Sequence, residues 1–465
     1  MSISEEDRIG LAGLVEKIIK ELNQYLEDRE LTEFDIVGVE STTNRSPVLY
    51  VQTSLGLESW CVKHVYNYCY AELIHDFLTN PKRRFSRLSN LNYKRIISLL
   101  NPTLLINPDV TSLWNKRREM TSQQYHDWFS EMHFTKLVLT RKPKCNEAYS
   151  YRRWILTNLL AKDDVLSEEF LDDIISEELR LCNKAADKCM NNYHCWDHRA
   201  FLIDLSWRYR YSFDSTMLYF NEYKFAKQWT STHVSDYSCF HYRQICVRIL
   251  FLIEERWPVF EKMIEVNLRE NFQKVLADHM TSDDPVVTPN KISKKIIEDD
   301  DLIALVLGYT PGNCKCYATW NATLRKLEIL FYELISNEDL LKYYTNHQTI
   351  WYHRRFIVHS ILNTMYSYLA VENKFNGIIK QITLPPSEVE RKNNCAKCAD
   401  ADLTEHHSNV KKQKEDWFWN CPLYKVLIRH ELALIKDRRK EDLKYSEAHE
   451  NYLKFFEGLF LNFNP

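Results

Sequence analysis

The pattern of apolar and polar positions predicts an almost entirely helical protein. Between residues 5 and 28, apolar side chains such as Leu14 and Ile18 return every three or four positions, which is the spacing of one helix face. Residues 34–58 alternate in the manner of strands instead and predict a small β-hairpin. From Trp60 onward the helical spacing continues through nearly all of the chain.

Composition supports helices joined by short polar turns. The chain has 8 Gly and 13 Pro, although β-rich folds and phosphate-binding loops both depend on glycine. Its 27 Tyr, 22 Phe and 12 Trp suit close helix packing. A formal net charge of −3 gives no overall attraction to nucleic acid or to anionic membranes.

The cysteines and the amino terminus indicate the cellular compartment in which the protein is found. Thirteen cysteines, an odd number, are scattered through predicted helices, and the acidic start MSISEEDR does not resemble a secretory signal. The longest apolar stretch, near 302–307, is too short to span a bilayer. We therefore expect a cytoplasmic protein with reduced thiols, no transmembrane segment and no nucleic-acid partner.

An internal repeat organises most of the chain. An aromatic residue followed three positions later by arginine recurs, and its clearest copy is NYHCWDHR at Asn192–Arg199. Successive aromatics lie 35, 47, 44, 80 and 31 residues apart. Most intervals fit one helical hairpin, and the longest fits two hairpins or one hairpin with an insertion. One copy has Thr323 in place of arginine. The repeat positions are Trp114, Arg117, Tyr149, Arg152, Trp196, Arg199, Phe240, Arg243, Trp320, Trp351 and Arg354.

We interpret the repeated aromatic and arginine as structural residues. They share one helix face, so the aromatic packs between hairpins while the arginine reaches a carbonyl or a carboxylate there. Asn192 and Asp236 stand four residues before their aromatics, at a position suited to an N-cap. Since one hairpin cannot bury its apolar face alone, the hairpins must stack into a continuous core.

We predict four parts of the chain. Residues 1–59 form a helix and the short hairpin, and residues 60–380 form the helical repeats. A polar insertion at about 279–301, which carries the acidic run EDDD, interrupts the repeats. Residues 381–415 are a polar loop, and residues 416–465 are a helical cap.

NYHCWDHR resembles the repeat of the α subunits of protein prenyltransferases, which has the form Asn-Tyr-x-x-Trp-x-x-Arg. The resemblance extends over about residues 105–360. It implies an all-α fold, a right-handed superhelix in which antiparallel helical hairpins form a crescent-shaped solenoid. It also implies a separate β subunit that holds zinc, the isoprenoid and most of the peptide site.

The same resemblance implies the site residues. Lys144 corresponds to a lysine near the lipid diphosphate, and Asn192, Tyr193 and His194 correspond to an Asn-Tyr-His that faces the mouth of the active site. We expect catalytic roles for Lys144 and His194, because charge builds on the leaving diphosphate, and substrate binding by Asn192 and Tyr193. Cys145 departs from the family pattern. A solvated surface lysine and a hydrogen-bonded structural histidine are the alternative interpretations.

These features lead to a prediction of function. The chain is predicted to be the α-type subunit of a protein geranylgeranyltransferase and to hold no cofactor itself. The resemblance implies that its partner is the β subunit of the Rab-type enzyme, which is expected to hold zinc and geranylgeranyl diphosphate. The lipid is expected to go to C-terminal cysteines of vesicle-traffic proteins, either Rab GTPases or a farnesylated SNARE. The alternative is a non-enzymatic helical-repeat adaptor that binds Rab or traffic proteins.

Two further motifs lie outside the repeats. Cys395 and Cys398 form a CxxC in a polar loop, near His406 and His407, but a second pair at zinc-finger spacing is missing. We therefore predict no metal in this chain and keep a zinc-dependent loop as the weaker hypothesis. The short basic run KDRRK at 436–440 is typical of a solvated face.

Overall fold

The computed structural model divides into two compact units, Met1–Leu218 and Tyr219–Pro465. The predicted all-α array of antiparallel helical hairpins is confirmed within each unit. The structure describes residues 5–38, 44–79, 90–122, 127–162, 168–209, 213–253, 256–279, 317–368 and 421–461.

The first unit opens with helices and a small sheet. Strands β2 and β3 pair antiparallel around a turn at Gln52, whose φ is 56°, so the predicted hairpin is confirmed. A further strand, β1, pairs parallel with β3 and gives the order β1-β3-β2. The elements are α1 (Glu5–Leu26), β1 (Glu33–Val37), β2 (Val48–Val51), β3 (Ser54–Glu58) and α2 (Ser59–Thr79).

Helical hairpins follow in the first unit. Each consists of a first and a second helix joined by a short loop, such as 142–145 and 189–192. The helices are α3 (Asn90–Ile106), α4 (Thr111–Ser122), α5 (Trp128–Arg141), α6 (Asn146–Lys162), α7 (Glu168–Lys188) and α8 (Tyr193–Tyr209).

The second unit continues with hairpins and one pair of shorter helices. The boundary between the units falls within α9 (Phe213–Thr232). After it come α10 (Tyr237–Leu250), α11 (Trp257–Ile264), α12 (Leu268–His279), α13 (Tyr317–Tyr343), α14 (Gln348–Tyr368), α15 (Pro422–Arg438) and α16 (Leu443–Leu461).

The long interval in the repeat contains the α11–α12 pair. Helix α12 packs against α13 and α15. Beyond His279, which ends α12, the predicted insertion lies outside the described residues, as does the predicted loop at 381–415.

A buried glutamate on the first helix of a hairpin binds the repeat arginine of the preceding hairpin. Arg117 makes two parallel hydrogen bonds to Glu131, of 2.5 and 2.8 Å, and Arg354 makes two to Glu431, of 2.8 and 2.7 Å. All these side chains are at most 2 % exposed. We call each such pair a clamp; the structure shows Arg117–Glu131 and Arg152–Glu178 in the first unit, and Arg243–Glu333 and Arg354–Glu431 in the second.

A tyrosine or a histidine completes the clamp. It belongs to the second helix of the hairpin that carries the glutamate, stands 20 residues after it, and directly precedes the arginine. Because the carboxylate binds groups from two neighbouring hairpins, it fixes their relative position. In the clamps these contacts are Tyr151–Glu131 at 2.5 Å, His198–Glu178 at 2.9 Å and His353–Glu333 at 3.2 Å. Tyr242 contacts Glu222 at the same spacing, at 2.5 Å.

The last hairpin keeps only half of this pattern. Glu431 receives His449 at 2.8 Å, but the next residue is Glu450 where the other hairpins have arginine. Glu450 forms ion pairs with Arg439 and Lys454 of its own hairpin, at 3.1 and 2.7 Å.

Five repeat aromatics lie in the core. The indole nitrogen of Trp114 donates to the Pro108 carbonyl at 2.7 Å, and Phe240 and Trp351 share one apolar cluster. The buried aromatics are Trp114, Tyr149, Trp196, Phe240 and Trp351, all at most 3 % exposed.

Trp320 has a different position in its hairpin. It lies in the first turn of α13, which carries Glu333 and is therefore a first helix, whereas Trp351 opens the second helix α14. Trp320 therefore does not occupy the repeat position of the other aromatics, although the sequence around it is similar. Its side chain lies outside the described part of the structure.

The pKa values of the carboxyls of Glu178, Glu333 and Glu431 lie well below their ordinary range. Burial by itself raises the pKa of Glu178, but the charge of Arg152 and the hydrogen bond from His198 outweigh it, so that the pKa falls to about 2. Burial lowers the pKa of His198 below 6.5 even though Glu178 opposes that shift. The histidine is therefore neutral and the carboxylate charged at neutral pH.

Replacing Glu178 with glutamine should destabilise the protein by about 3–5 kcal/mol, because Arg152 would keep its buried charge without a counter-charge. Urea unfolding followed by circular dichroism measures the change. The matched control is Glu169→Gln on the exposed side of the same helix, which should change stability by less than about 0.5 kcal/mol. Equal effects of the two substitutions would contradict the clamp.

Stability should also fall as the pH is lowered. The pKa of Glu178 is about 2 in the folded chain against 4.5 ordinarily, and the pKa of His198 lies below 6.5. Both groups therefore contribute stability above their ordinary pKa that is lost as the pH falls. The free energy of unfolding should begin to drop below pH 6.5 and drop further between pH 4.5 and about 2.

The variant His198→Tyr isolates the histidine part, since Tyr151 and Tyr242 occupy the same place in other hairpins. The slope of stability against pH should become shallower just below pH 6.5 and stay unchanged below pH 4.5. An unaltered slope throughout would mean that His198 does not contribute.

Candidate functional site

Two loops of the first unit are joined by one buried side chain. Asn192 is fully buried, and its Nδ2 donates to the carbonyl oxygen of Pro143 at 2.6 Å. Its Oδ1 accepts from the backbone nitrogen of Cys195 at 3.4 Å, which caps helix α8 as the N-cap pattern predicts. The loop between α5 and α6 is thereby tied to the start of α8.

The Asn192 bond brings the exposed candidate residues to adjacent loops. Lys144 follows Pro143 directly and is exposed, while Tyr193 follows Asn192 and is 55 % exposed. The rings of Tyr193 and His194 meet edge to face, with centroids 5.9 Å apart, and His194 is half-buried. An ammonium, a phenol and an imidazole therefore stand at one edge of the first unit, which we call the Lys144 edge.

Neighbouring lysines on this edge are already engaged. Lys142 forms an ion pair with Asp109, and Lys188 donates to the carbonyl oxygen of Thr140 at 2.6 Å. Lys144, by contrast, forms no ion pair with any residue that the structure describes. Its charge is thus available for an external anion.

The four predicted site residues do not have equal access. Lys144, Tyr193 and His194 reach the surface, whereas the amide of Asn192 is enclosed and bonded to Pro143 and Cys195. Substrate binding by Asn192 stays a prediction, and the geometry gives this residue a positioning role. The repeat pattern signalled an N-cap but not the bond to Pro143, which depends on how two hairpins pack.

One group of possible metal ligands lies beside this edge. Among the described residues, Asp109, Cys145 and Glu147 have ligand atoms within 4.8 Å of one another. Asp109 is paired with Lys142, Glu147 accepts from the hydroxyl of Thr111 at 3.3 Å, and burial raises the pKa of Cys145 to about 11. A protonated thiol and two engaged carboxylates are poor ligands.

Two features from the sequence remain. Cys395 and Cys398 lie outside the described residues. Within the described ranges, none of the helices combines the length and the apolar character needed to cross a bilayer.

The repeat of one known protein family matches segments of this chain that form its hairpins. The protein prenyltransferase alpha subunit repeat matches residues 128–159, 175–206, 219–250 and 330–361. Each match contains one buried glutamate and the arginine of the same hairpin, at the same two positions of the repeat.

Individual relatives extend the likeness. Protein prenyltransferase alpha subunit repeat-containing protein 1 from Homo sapiens is 27 % identical over 360 residues, covering 75 % of this chain and 78 % of that protein. Protein prenyltransferase alpha subunit repeat-containing protein 1-B from Xenopus laevis is 29 % identical over 366 residues, covering 75 % of this chain and 74 % of that protein. Geranylgeranyl transferase type-2 subunit alpha from Mus musculus is 26 % identical over 157 residues, covering 32 % of this chain and 24 % of that protein. The chain therefore carries four segments that match the protein prenyltransferase alpha subunit repeat, and over three quarters of its length it is similar to the repeat-containing proteins named above.

Proposed function

We propose that the chain is the α-type subunit of a heterodimeric protein geranylgeranyltransferase that works in the cytoplasm with a β subunit of the Rab type. The observation that carries the proposal is the bond from Asn192 to Pro143, which places Lys144 beside Tyr193 and His194 at an exposed edge. The repeats, and the distant likeness to a type-2 geranylgeranyl transferase α subunit, support the same function.

The proposed division of labour follows from the chemistry. The partner β subunit would hold zinc and geranylgeranyl diphosphate, and the substrate's cysteine sulfur would bond to the lipid as diphosphate leaves. Negative charge then builds on the diphosphate oxygens, where a positioned ammonium stabilises it. Lys144 supplies that charge in the proposal, while His194 and Tyr193 donate hydrogen bonds to the diphosphate or to the peptide.

The proposed substrates are vesicle-traffic proteins that end in cysteines, either Rab GTPases or a farnesylated SNARE. On this view the α-type chain determines which protein is modified and leaves the zinc chemistry to its partner. The non-enzymatic adaptor differs in one observable respect, since it would bind traffic proteins without any lipid transfer.

Co-expression with a Rab-type β subunit should give a stable one-to-one complex that transfers geranylgeranyl to cysteine-terminated proteins. The complex is measured by size-exclusion chromatography, and transfer by mass spectrometry of the product. A control preparation contains the β subunit alone and should show no transfer. A stable complex that modifies none of the substrates would favour the non-enzymatic adaptor. The absence of a complex would contradict the proposed function.

Replacing Lys144 with alanine should lower the turnover number on the order of a hundredfold, because the leaving diphosphate loses one fixed positive charge. Complex formation should be unchanged, since the side chain is exposed. Lys184→Ala, which removes another exposed lysine of the same unit, is the matched control and should leave turnover intact. If both variants behave alike, Lys144 is only a solvated surface lysine.

Asn192→Ala tests the positioning role. Without its side chain, the Pro143 carbonyl loses its donor, which should cost about 1–3 kcal/mol of stability. Turnover should fall as well, and adding Lys144→Ala should lower it little further, because both changes remove the same positioned ammonium. Strictly multiplicative effects in the double variant would show that Asn192 and Lys144 act independently.

A further inference from the structure

Helices α10 and α14 of the second unit contain arginines and no acidic residue. In each helix a clamp already balances one of these charges, Arg243 in α10 and Arg354 in α14. The other two arginines, Arg248 and Arg355, form no ion pair with a residue that the structure describes. Two positive charges are therefore left without a counter-charge in the described part of this unit.

The two arginines flank one strip of α14. Arg355, Phe356 and His359 are three or four positions apart along the helix and share its outward side. Arg248 reaches this side from α10, with its guanidinium carbon 5.1 Å from the ring centroid of Phe356. Tyr452 reaches it from α16, with its hydroxyl 3.4 Å from Nδ1 of His359. We call these five side chains the Arg355 face.

The arginines of this face have lost water without gaining an anion. Nε of Arg355 is enclosed and has no hydrogen-bond acceptor among the described residues, and the guanidinium lies 5.1 Å from the ring centroid of Tyr352. Partial burial lowers the pKa of Arg248 and of Arg355, and no described carboxylate opposes that shift. Burial and the charge of Arg248 also lower the pKa of His359. Because desolvation of a charged group costs free energy unless a counter-charge is near, an external anion would stabilise this arrangement.

The acidic residues of α16 do not supply that anion. Glu450 is held by the ion pairs within its own hairpin. Glu447 is exposed and stands five positions before Tyr452, which places it roughly 140° away around the helix. Neither carboxylate affects the pKa of Arg248 or Arg355. Within the described residues, the charge of the Arg355 face is consequently positive.

We propose that the Arg355 face binds a phosphorylated segment of a partner protein. A phosphate monoester carries about −1.5 to −2 charge and three acceptor oxygens, which match donors that come from α10, α14 and α16. A carboxylate is planar and is satisfied by one guanidinium, so it would leave the second arginine unmatched. The side chains of the face are exposed or half-buried, unlike the enclosed pockets that small ligands occupy. A protein segment is therefore the expected carrier of the phosphate.

Binding at the Arg355 face does not depend on lipid transfer. The Lys144 edge belongs to the first unit and the Arg355 face to the second. The contact with a phosphorylated segment also requires no β subunit. Either proposal can therefore fail without the other.

The test uses the immobilised full chain and pools of end-blocked peptides. In two pools a fixed phosphoserine or phosphotyrosine is flanked by three randomised positions on each side, and in the matched pools serine or tyrosine replaces it. The chain should retain at least one phosphorylated pool about tenfold better than its matched pool, as measured by mass spectrometry. An equal concentration of inorganic phosphate should not displace the peptides, since a free anion lacks the contacts of the flanking residues.

Variants assign the binding to this face. Arg248→Gln and Arg355→Gln should each lower retention of the phosphorylated peptides on the order of tenfold, because each removes a charged donor. Tyr452→Phe removes a neutral donor and should have a smaller effect in the same direction. The matched control is the double variant Arg180→Gln, Arg208→Gln, which removes two exposed arginines of the first unit and should leave retention unchanged. Circular dichroism checks that each variant is folded.

Four outcomes would overturn the proposal. The first is equal retention of the phosphorylated and the matched pools, and the second is an equal loss in the control variant and in those of the Arg355 face. The third is displacement by an equal concentration of inorganic phosphate, which would assign the face to a free anion. The fourth is sedimentation of the chain with vesicles that contain phosphorylated inositol lipid, without retention of either phosphorylated pool. That result would assign the face to a membrane surface.

Discussion

The pairing of a buried arginine with a buried glutamate from the next hairpin is the interaction on which the rest of the fold depends. Neither member is tolerable alone, because an unpaired charge in the core costs several kcal/mol. Geometry at the carboxylate is also demanding, since it receives an arginine from one side and a tyrosine or histidine from the other. Apolar packing alone would allow hairpins to slide against each other, and the clamps allow one arrangement.

The positions of the residues at the Lys144 edge depend on these clamps. Arg152 and Glu178 hold the hairpin of α5 and α6 against that of α7 and α8. Only in that arrangement does the Asn192 amide reach Pro143. Lys144 is exposed, so its position depends on this bond more than on its own packing.

The sequence predicted the repeat and its helices because the aromatic–arginine spacing is local and frequent. It missed the clamp glutamates, since a run such as SEELRL looks like any solvated helix face and burial depends on the neighbouring hairpin. Alternation marked the segment of β1 as a strand, but its parallel pairing with β3 was missed, because alternation does not state which strands pair. Exposure of Lys144 and enclosure of Asn192 were equally beyond local pattern, since both follow from packing between hairpins.

The glutamate at position 450 has a bearing on how such a chain could lengthen during evolution. A clamp points one way along the chain, because in each clamp the arginine precedes the glutamate that it binds. The glutamate of a copied hairpin inserted between two others would bind the arginine of the hairpin before it. Its own arginine would bind the glutamate of the hairpin after it, so no buried charge would be left unpaired. A hairpin appended after α16 would meet Glu450 instead, so its own buried carboxylate would face another carboxylate. Growth is therefore open in the middle of the array and closed at this end.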